Sequence, residues 1–169
     1  FNSKDFSGSF LVAKNGQILY ENYSGYSYKE KGEKITAETP LHIASVSKVI
    51  TAVTVLKLVD AKKLKLDDLV TSILPEYPHK TTTVRMLLNH RSGLRNYAYF
   101  TDDKGVWDKK KTLTNQDVLT LLATKDIGLE STPGTRFGYC NTNYALLALI
   151  IEKVTKKTYT RAIQEMIFD

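Results

Sequence analysis

Ile43-Ala44-Ser45-Val46-Ser47-Lys48-Val49-Ile50-Thr51-Ala52 places a hydroxyl and an amine three residues apart where a long apolar helix is predicted to begin. Apolar residues recur at Val46, Val49, Ile50, Val53, Leu56 and Val59, the three-and-four spacing of one helix face, and the helix is expected to end near Lys62. Residues three apart share a face, so the Lys48 amine can reach the Ser45 oxygen. A serine hydroxyl is a poor nucleophile until a base takes its proton, and a desolvated lysine can serve as that base. The positive end of the helix dipole favours negative charge developing at Ser45. Taken alone, the same pair also reads as a capping serine followed by a solvated lysine.

The remaining 159 or so positions set the context for that pair. At 169 residues, 42% hydrophobic and 25% charged, the chain has the composition of one globular domain with a substantial core. Its longest apolar run, Tyr144 to Ile151, is too short to span a bilayer. The chain begins at Phe1 without a charged start and apolar stretch, so it reads as a mature form or a fragment from which any export signal is gone. A net charge of +6 raises nucleic-acid binding, but the lysine clusters (Lys62, Lys63 and Lys65; Lys109 to Lys111; Lys153, Lys156 and Lys157) lie in predicted helix ends and loops. No zinc-ligand spacing, aromatic RNA-binding motif or arginine-rich arm accompanies them, which favours a solvated surface. Cys140 is the only cysteine, which excludes an intramolecular disulfide and is compatible with cytoplasm or periplasm. No cofactor or metal ligand set is assigned.

Outward from Ser45, residues 9–14 and 17–23 flank Asn15-Gly16, a strong signal for a two-residue hairpin turn, with Phe10, Val12, Ile18 and Tyr20 expected on one buried face. Residues 24–40 read as a loop or ragged strand. Asp67 and Asp68 favour a helical start, Thr83 can cap a short helix through Leu88, and Asn115 can cap one over residues 118–122. Residues 91–113 show no periodicity and read as a long surface excursion. A strongly apolar helix is expected from about Asn143 to Lys156, with residues 159–168 helical again. Tyr139-Cys140-Asn141 follows a Pro-Gly turn and precedes that helix, where side chains can converge on a cleft. A tyrosine beside an ammonium can relay a proton, and an asparagine can orient both lysine and substrate amide. The same Tyr-x-Asn spacing occurs at Tyr20-Glu21-Asn22, inside a predicted strand.

At these segments the chain resembles the serine β-lactamases and penicillin-binding proteins, in particular the class C β-lactamase-related branch with its esterases and D-peptidases. Gly8 to Gly16 is similar to that family's opening hairpin, and Ile43 to Ala52 to its nucleophile helix. Lys63 to Asp68, Leu87 to Leu94 and Pro133 to Asn141 resemble three further signatures in the same order. The resemblance implies an α+β, β-lactamase/transpeptidase-like fold, with an opening hairpin over about 8–24 and a helical region over about 45–169. It implies Ser45 as a nucleophile forming an acyl-enzyme, Lys48 and Tyr139 as a coupled proton-transfer pair, and Asn141 as a ligand of the substrate amide that also positions Lys48. The Ser45 backbone N–H would contribute one oxyanion donor. A small-molecule or peptide substrate and a periplasmic or secreted location follow from the same likeness.

The pattern departs from the family in three places. Arg91 stands where threonine is usual, and Cys140 where serine is usual; the thiol is expected to be buried and inert, pointing away from its neighbours. His90 is expected to fix a turn by hydrogen bonding rather than act as a base, while His42 and His79 read as surface or structural residues. The third element, Lys-Thr-Gly, Lys-Ser-Gly or His-x-Gly on a strand, does not follow Tyr139; Lys14-Asn15-Gly16 is the only Lys-x-Gly and sits in the hairpin turn. The expectation is therefore a single N-terminal portion, 1–169, of a β-lactamase-like domain lacking most of its antiparallel sheet. A serine hydrolase acting on ester, amide or β-lactam bonds is the leading functional reading. The alternative is a catalytically incomplete scaffold that binds peptidoglycan-type peptides or another ligand.

Overall fold

The structure is a computed structural model and describes residues 6–169. The chain divides into two compact units, one up to Ala44 and one over Ser45–Asp169. In the first, β1 (Gly8–Lys14) and β2 (Gln17–Ser24) form the expected antiparallel hairpin. Asn15 (φ 51°) and Gly16 (φ 78°) both occupy the left-handed region, as the tight turn matching strand twist requires. Val12 pairs with Tyr20 but Ala13 with Ile18, so a bulge at Leu19 moves Ile18 to the face opposite Tyr20. The expected buried face is exposed: Phe10, Val12, Ile18 and Tyr20 are all open to solvent, with Phe10 and Tyr20 edge to face at 6.1 Å. The ragged stretch after the hairpin contains a second short one, β3 (Tyr26–Tyr28) with β4 (Glu33–Lys34), turned by residues 29–32.

The second unit is helical: α1 (Ser47–Asp60), α2 (Val70–Ile73), α3 (Val84–Leu88), α4 (Tyr97–Phe100), α5 (Asn115–Thr124), α6 (Asn141–Thr155) and α7 (Tyr159–Ile163), the last running on as a wider turn over Gln164–Phe168. α6 touches each of the other six helices. Apart from half-buried Tyr144, residues from Thr142 to Ile151 are buried on every side of α6, as expected for a helix apolar all round. Around it Val55, Leu58, Val84, Leu87, Val118 and Leu119 complete the core.

α1 turns the face opposite to the predicted one inward. Val46 and Val49 are 62% exposed, Val53 42% and Leu56 50%, whereas Thr51, Thr54, Val55 and Leu58 are buried. The two threonines tolerate burial because each hydroxyl returns a bond to its own helix: Thr51 to Ser47 O (3.2 Å) and Thr54 to Ile50 O (2.9 Å). Thr51 also meets the Tyr159 hydroxyl at 2.6 Å, which locks α1 to α7.

Two caps depart from expectation. Asp67 and Asp68 do not start a helix; Asp68 closes a turn by accepting the Lys65 N–H at 2.7 Å, and Asp67 takes a bidentate bond from Arg85 at 2.8 and 2.9 Å. Thr114 rather than Asn115 caps α5, in a reciprocal box with Asp117. Thr83 caps α3 as expected, accepting the Met86 N–H at 3.3 Å. Thr83→Ala is accordingly expected to cost about 1 kcal/mol in urea unfolding, with no change in the slope of the transition.

The 91–113 segment is not an excursion. Ser92, Leu94, Asn96 and Phe100 are buried, and α4 joins α6 through the Tyr97 N–H bond to Thr142 Oγ1 (2.8 Å) and the Thr142 hydroxyl bond to Arg95 O (2.8 Å).

Candidate active site

Ser45 lies in a 3-10 turn over Ala44–Val46, one turn ahead of α1 rather than inside it. Ala44 precedes it at φ 46°, a left-handed conformation that an L-residue with a Cβ adopts at a cost of roughly 1–2 kcal/mol. The tighter turn still leaves serine and lysine on one side. Lys48 Nζ, on the first turn of α1, donates to Ser45 Oγ at 3.0 Å. Tyr139, from the extended segment before α6, brings its hydroxyl to 2.7 Å from the same oxygen. Three side chains, one of them 94 residues distant from Ser45, thus meet at a single exposed hydroxyl.

Their electrostatics are coupled. The Lys48 ammonium, and after it the Ser45 hydroxyl, hydrogen-bond Tyr139 and hold its phenol below the ordinary tyrosine value, against a smaller opposing effect of burial. Lys48 Nζ stands 5.1 Å from the centre of the Tyr139 ring and 5.7 Å from that of Tyr144, so two aromatic faces flank the ammonium. Tyr144 is itself anchored by its hydroxyl to Leu88 O at 3.1 Å. Nothing in the spacing marked Tyr144, because it sits within the apolar run of α6 and reads there as core.

Asn141 opens α6 and is half-buried, near Tyr139 in sequence; among the hydrogen bonds of the described residues there is none from its side chain to Lys48. Cys140 is buried, its thiol directed to Arg95 O at 3.5 Å, and burial pushes its pKa up. It therefore stays a protonated thiol turned away from Ser45. Tyr20 and Asn22, which share the Tyr-x-Asn spacing, lie on β2. His42 is exposed; His79 packs edge-on against Tyr77 at 5.5 Å.

His90 closes the turn after α3 at φ 57°. Its carbonyl accepts the Gly138 N–H at 2.8 Å and its Nδ1 accepts the Cys140 N–H at 3.1 Å. Gly93, three residues on, has φ 74° and passes so close to Ser131 that a Cβ would lie 1.9 Å from that residue's carbonyl oxygen. Only glycine lets the two site loops approach this closely. Arg91, at the position of the family's usual threonine, is exposed; its carbonyl accepts the Gly134 N–H at 2.7 Å.

The turn that carries Ser45, a lysine one turn on and a tyrosine from the loop before the central helix, on this helical scaffold, define a penicillin-binding-protein-like chain with a β-lactamase/transpeptidase-like α+β fold. The family model described as Beta-lactamase matches residues 5–169, and the chain belongs to that family. Penicillin-binding protein 4* of Bacillus subtilis (strain 168) is 34% identical over 165 residues, which is 96% of this chain and 36% of that protein. Among solved structures, a penicillin binding protein from Bacillus halodurans matches with a TM-score of 0.80 at 27% identity, over 96% of this chain and 49% of that one. The D-amino acid amidase from Ochrobactrum anthropi SV3, complexed with D-phenylalanine, matches with a TM-score of 0.77 at 29% identity, over 95% of this chain and 44% of that one. The chain spans about a third of the length of the curated relatives it matches.

Proposed function

We propose that the intact protein is a serine hydrolase in which Ser45 is acylated by an ester or amide substrate and the acyl-enzyme is then hydrolysed. The observation that carries this reading is the convergence of Lys48 Nζ (3.0 Å) and the Tyr139 hydroxyl (2.7 Å) on Ser45 Oγ. In the first step Ser45 Oγ bonds to the substrate carbonyl carbon while its proton passes to the Lys48–Tyr139 pair. The tetrahedral intermediate collapses, the bond to the leaving amine or alkoxide breaks, and the pair returns the proton to that group. Water attacks the ester in the second step, gives its proton to the pair, and Ser45 leaves with a proton from it. The Ser45 N–H supplies one oxyanion donor, and Asn141 binds the amide on the acyl side.

An amide or ester of a D-amino acid is the substrate class we favour, supported by the likeness to the D-amino acid amidase; β-lactam hydrolysis is the finer alternative within the same chemistry. The location that suits such substrates is outside the cytoplasmic membrane; no helix among the described residues is long and apolar enough to cross it. We read residues 1–169 as the N-terminal portion of the catalytic domain, with the strand opposite Ser45 supplied elsewhere in the intact protein. The exposed apolar stripe Val46, Val49, Val53 and Leu56 supports that reading.

Incubation of the intact protein with a fluorophosphonate or a penicillin, followed by peptide mass spectrometry, tests the function. An adduct on the Ser45 peptide is expected; no adduct, or one elsewhere, overturns it. The pH profile of acylation tests the proton-transfer pair. Below its lowered pKa the Tyr139 phenol is protonated and cannot accept the serine proton; above it the phenolate can, so the rate climbs with pH and levels off before the ordinary tyrosine value of about 10. Tyr139→Phe should remove that rise and slow acylation about 10²-fold, the low end for a lost acid–base group because Lys48 remains beside Ser45.

A further inference from the structure

The turn Asn89-His90-Arg91-Ser92 holds an imidazole beside Tyr139, and its bonds run to the residues on either side of that tyrosine. Gly138 gives its N–H to the His90 carbonyl (2.8 Å) and Cys140 gives its N–H to His90 Nδ1 (3.1 Å). Between those two anchors the Tyr139 ring lies 4.7 Å from the imidazole, centre to centre. On its other sides the imidazole meets Tyr144 at 5.2 Å and Phe137 at 5.9 Å.

A buried relay sets which His90 nitrogen carries the proton. The Leu94 N–H bonds to Ser92 Oγ at 3.2 Å, which directs the serine proton to Asn143 Oδ1 at 2.5 Å. The Asn143 amide then faces His90 Nδ1 with its NH2 group, at 3.2 Å. Ser92 and Asn143 are both buried, so neither has an alternative partner in bulk water. Two N–H donors are aimed at Nδ1, which must therefore be the bare nitrogen, with the ring proton on Nε2.

We propose that His90 is the positioning residue of Tyr139 and must be uncharged to act: protonation at Nδ1 displaces the Cys140 N–H, frees the 138–140 segment and withdraws the Tyr139 hydroxyl from Ser45. This rests on the reading of Ser45 and Tyr139 as an acyl-transfer pair. The titratable groups around His90 are Lys48 on α1, Tyr139 and Cys140 on the preceding segment, and Tyr144 on α6. No carboxylate is among them to favour the imidazolium. Burial, and next the Lys48 charge, hold His90 below the ordinary histidine value, and the Cys140 N–H donated to Nδ1 favours the same uncharged ring. The His90 anchor on the Tyr139 segment is therefore intact above about pH 6.5 and is lost as pH falls through the lower folded value.

The test uses the intact protein in two arms. In the first, 15N-edited NMR follows the His90 imidazole and the Cys140 amide against pH. Both should move with one midpoint below about 6.5, with the Tyr139 ring signals following. A Cys140 amide that stays still while His90 titrates overturns the proposal. In the second, fluorophosphonate acylation at saturating reagent is measured against pH in three variants. His90→Leu should slow it roughly tenfold at pH 7.5 through the lost anchor. His90→Asn should recover most of that loss, since its Oδ1 can take the place of Nδ1 and asparagine tolerates positive φ, and should lack the His90 acid limb. Ser92→Ala frees the Asn143 amide to turn its oxygen toward Nδ1, which favours the imidazolium, so the acid limb should move to higher pH. This variant keeps the test sharp if His90→Leu fails to fold. An acid limb unchanged in both His90→Asn and Ser92→Ala overturns the proposal. If the wild-type protein is not acylated at all, the nucleophile reading falls, and the NMR arm decides the positioning role alone.

Discussion

Ser45→Ala is expected to eliminate covalent labelling and to lower acyl transfer on the order of 10⁶-fold, the scale seen when a serine nucleophile is removed from an enzyme whose other groups stay in place. The scale follows from the geometry. Lys48 and Tyr139 share Ser45 Oγ as their common partner, and without it neither has an acceptor that can attack a carbonyl. The variant should remain folded, because Ser45 is exposed and the core lies around α6. Rate measurement with an activated ester, alongside the intact mass after fluorophosphonate treatment, checks both halves. Residual labelling at the wild-type rate would mean that another nucleophile carries the chemistry. Buried, protonated Cys140 is a poor candidate for that role.

Phe100→Ala is expected to destabilise the protein by about 3–5 kcal/mol in chemical denaturation, as for other fully buried aromatic residues. Phe100 ends the one-turn helix α4 and is the largest wholly enclosed side chain of the protein's described residues. It is held there by the Asn96 cap on the Ala98 N–H and by Thr142, whose hydroxyl donates to Arg95 O and accepts the Tyr97 N–H. A loop draped over the surface would lose under about 1 kcal/mol on the same change. The measurement thus separates a packed 91–113 segment from a draped one. Because Ser92 lies in that segment and His90 directly precedes it, its anchoring bears directly on the Tyr139 contacts.

That segment shows where sequence reading stopped. It has no periodicity, since α4 is a single turn and too short to display one, and Ser92, Arg95 and Tyr97 are each fixed by Asn143 or Thr142 on α6. The caps show the same limit on a smaller scale. Thr83 was legible because a capping threonine acts on the residues next to it, whereas Asp67 was drawn away from a helix start by Arg85, 18 positions on. α1 was legible as a helix but not in its orientation. Its valines suggested one face, yet burial followed the threonines, whose hydroxyls bond back to the helix and to Tyr159. The hairpin turn was clear from Asn15-Gly16, while the bulge that shifts Ile18 is a property of the paired strands.

By itself the sequence determined the family, the opening hairpin turn, the central apolar helix and the Ser45–Lys48 contact. Each is written in motifs, turn chemistry or a spacing of three residues, within which backbone geometry leaves little choice. The tertiary structure alone decided that the Tyr139 hydroxyl comes to 2.7 Å from Ser45 and that α1 turns its threonines inward. It also decided that His90 faces two N–H donors at one nitrogen. Those outcomes depend on residues 50 to 108 positions apart, and they are set by which buried polar groups find partners when α1, the 90–97 turn, α6 and α7 pack together.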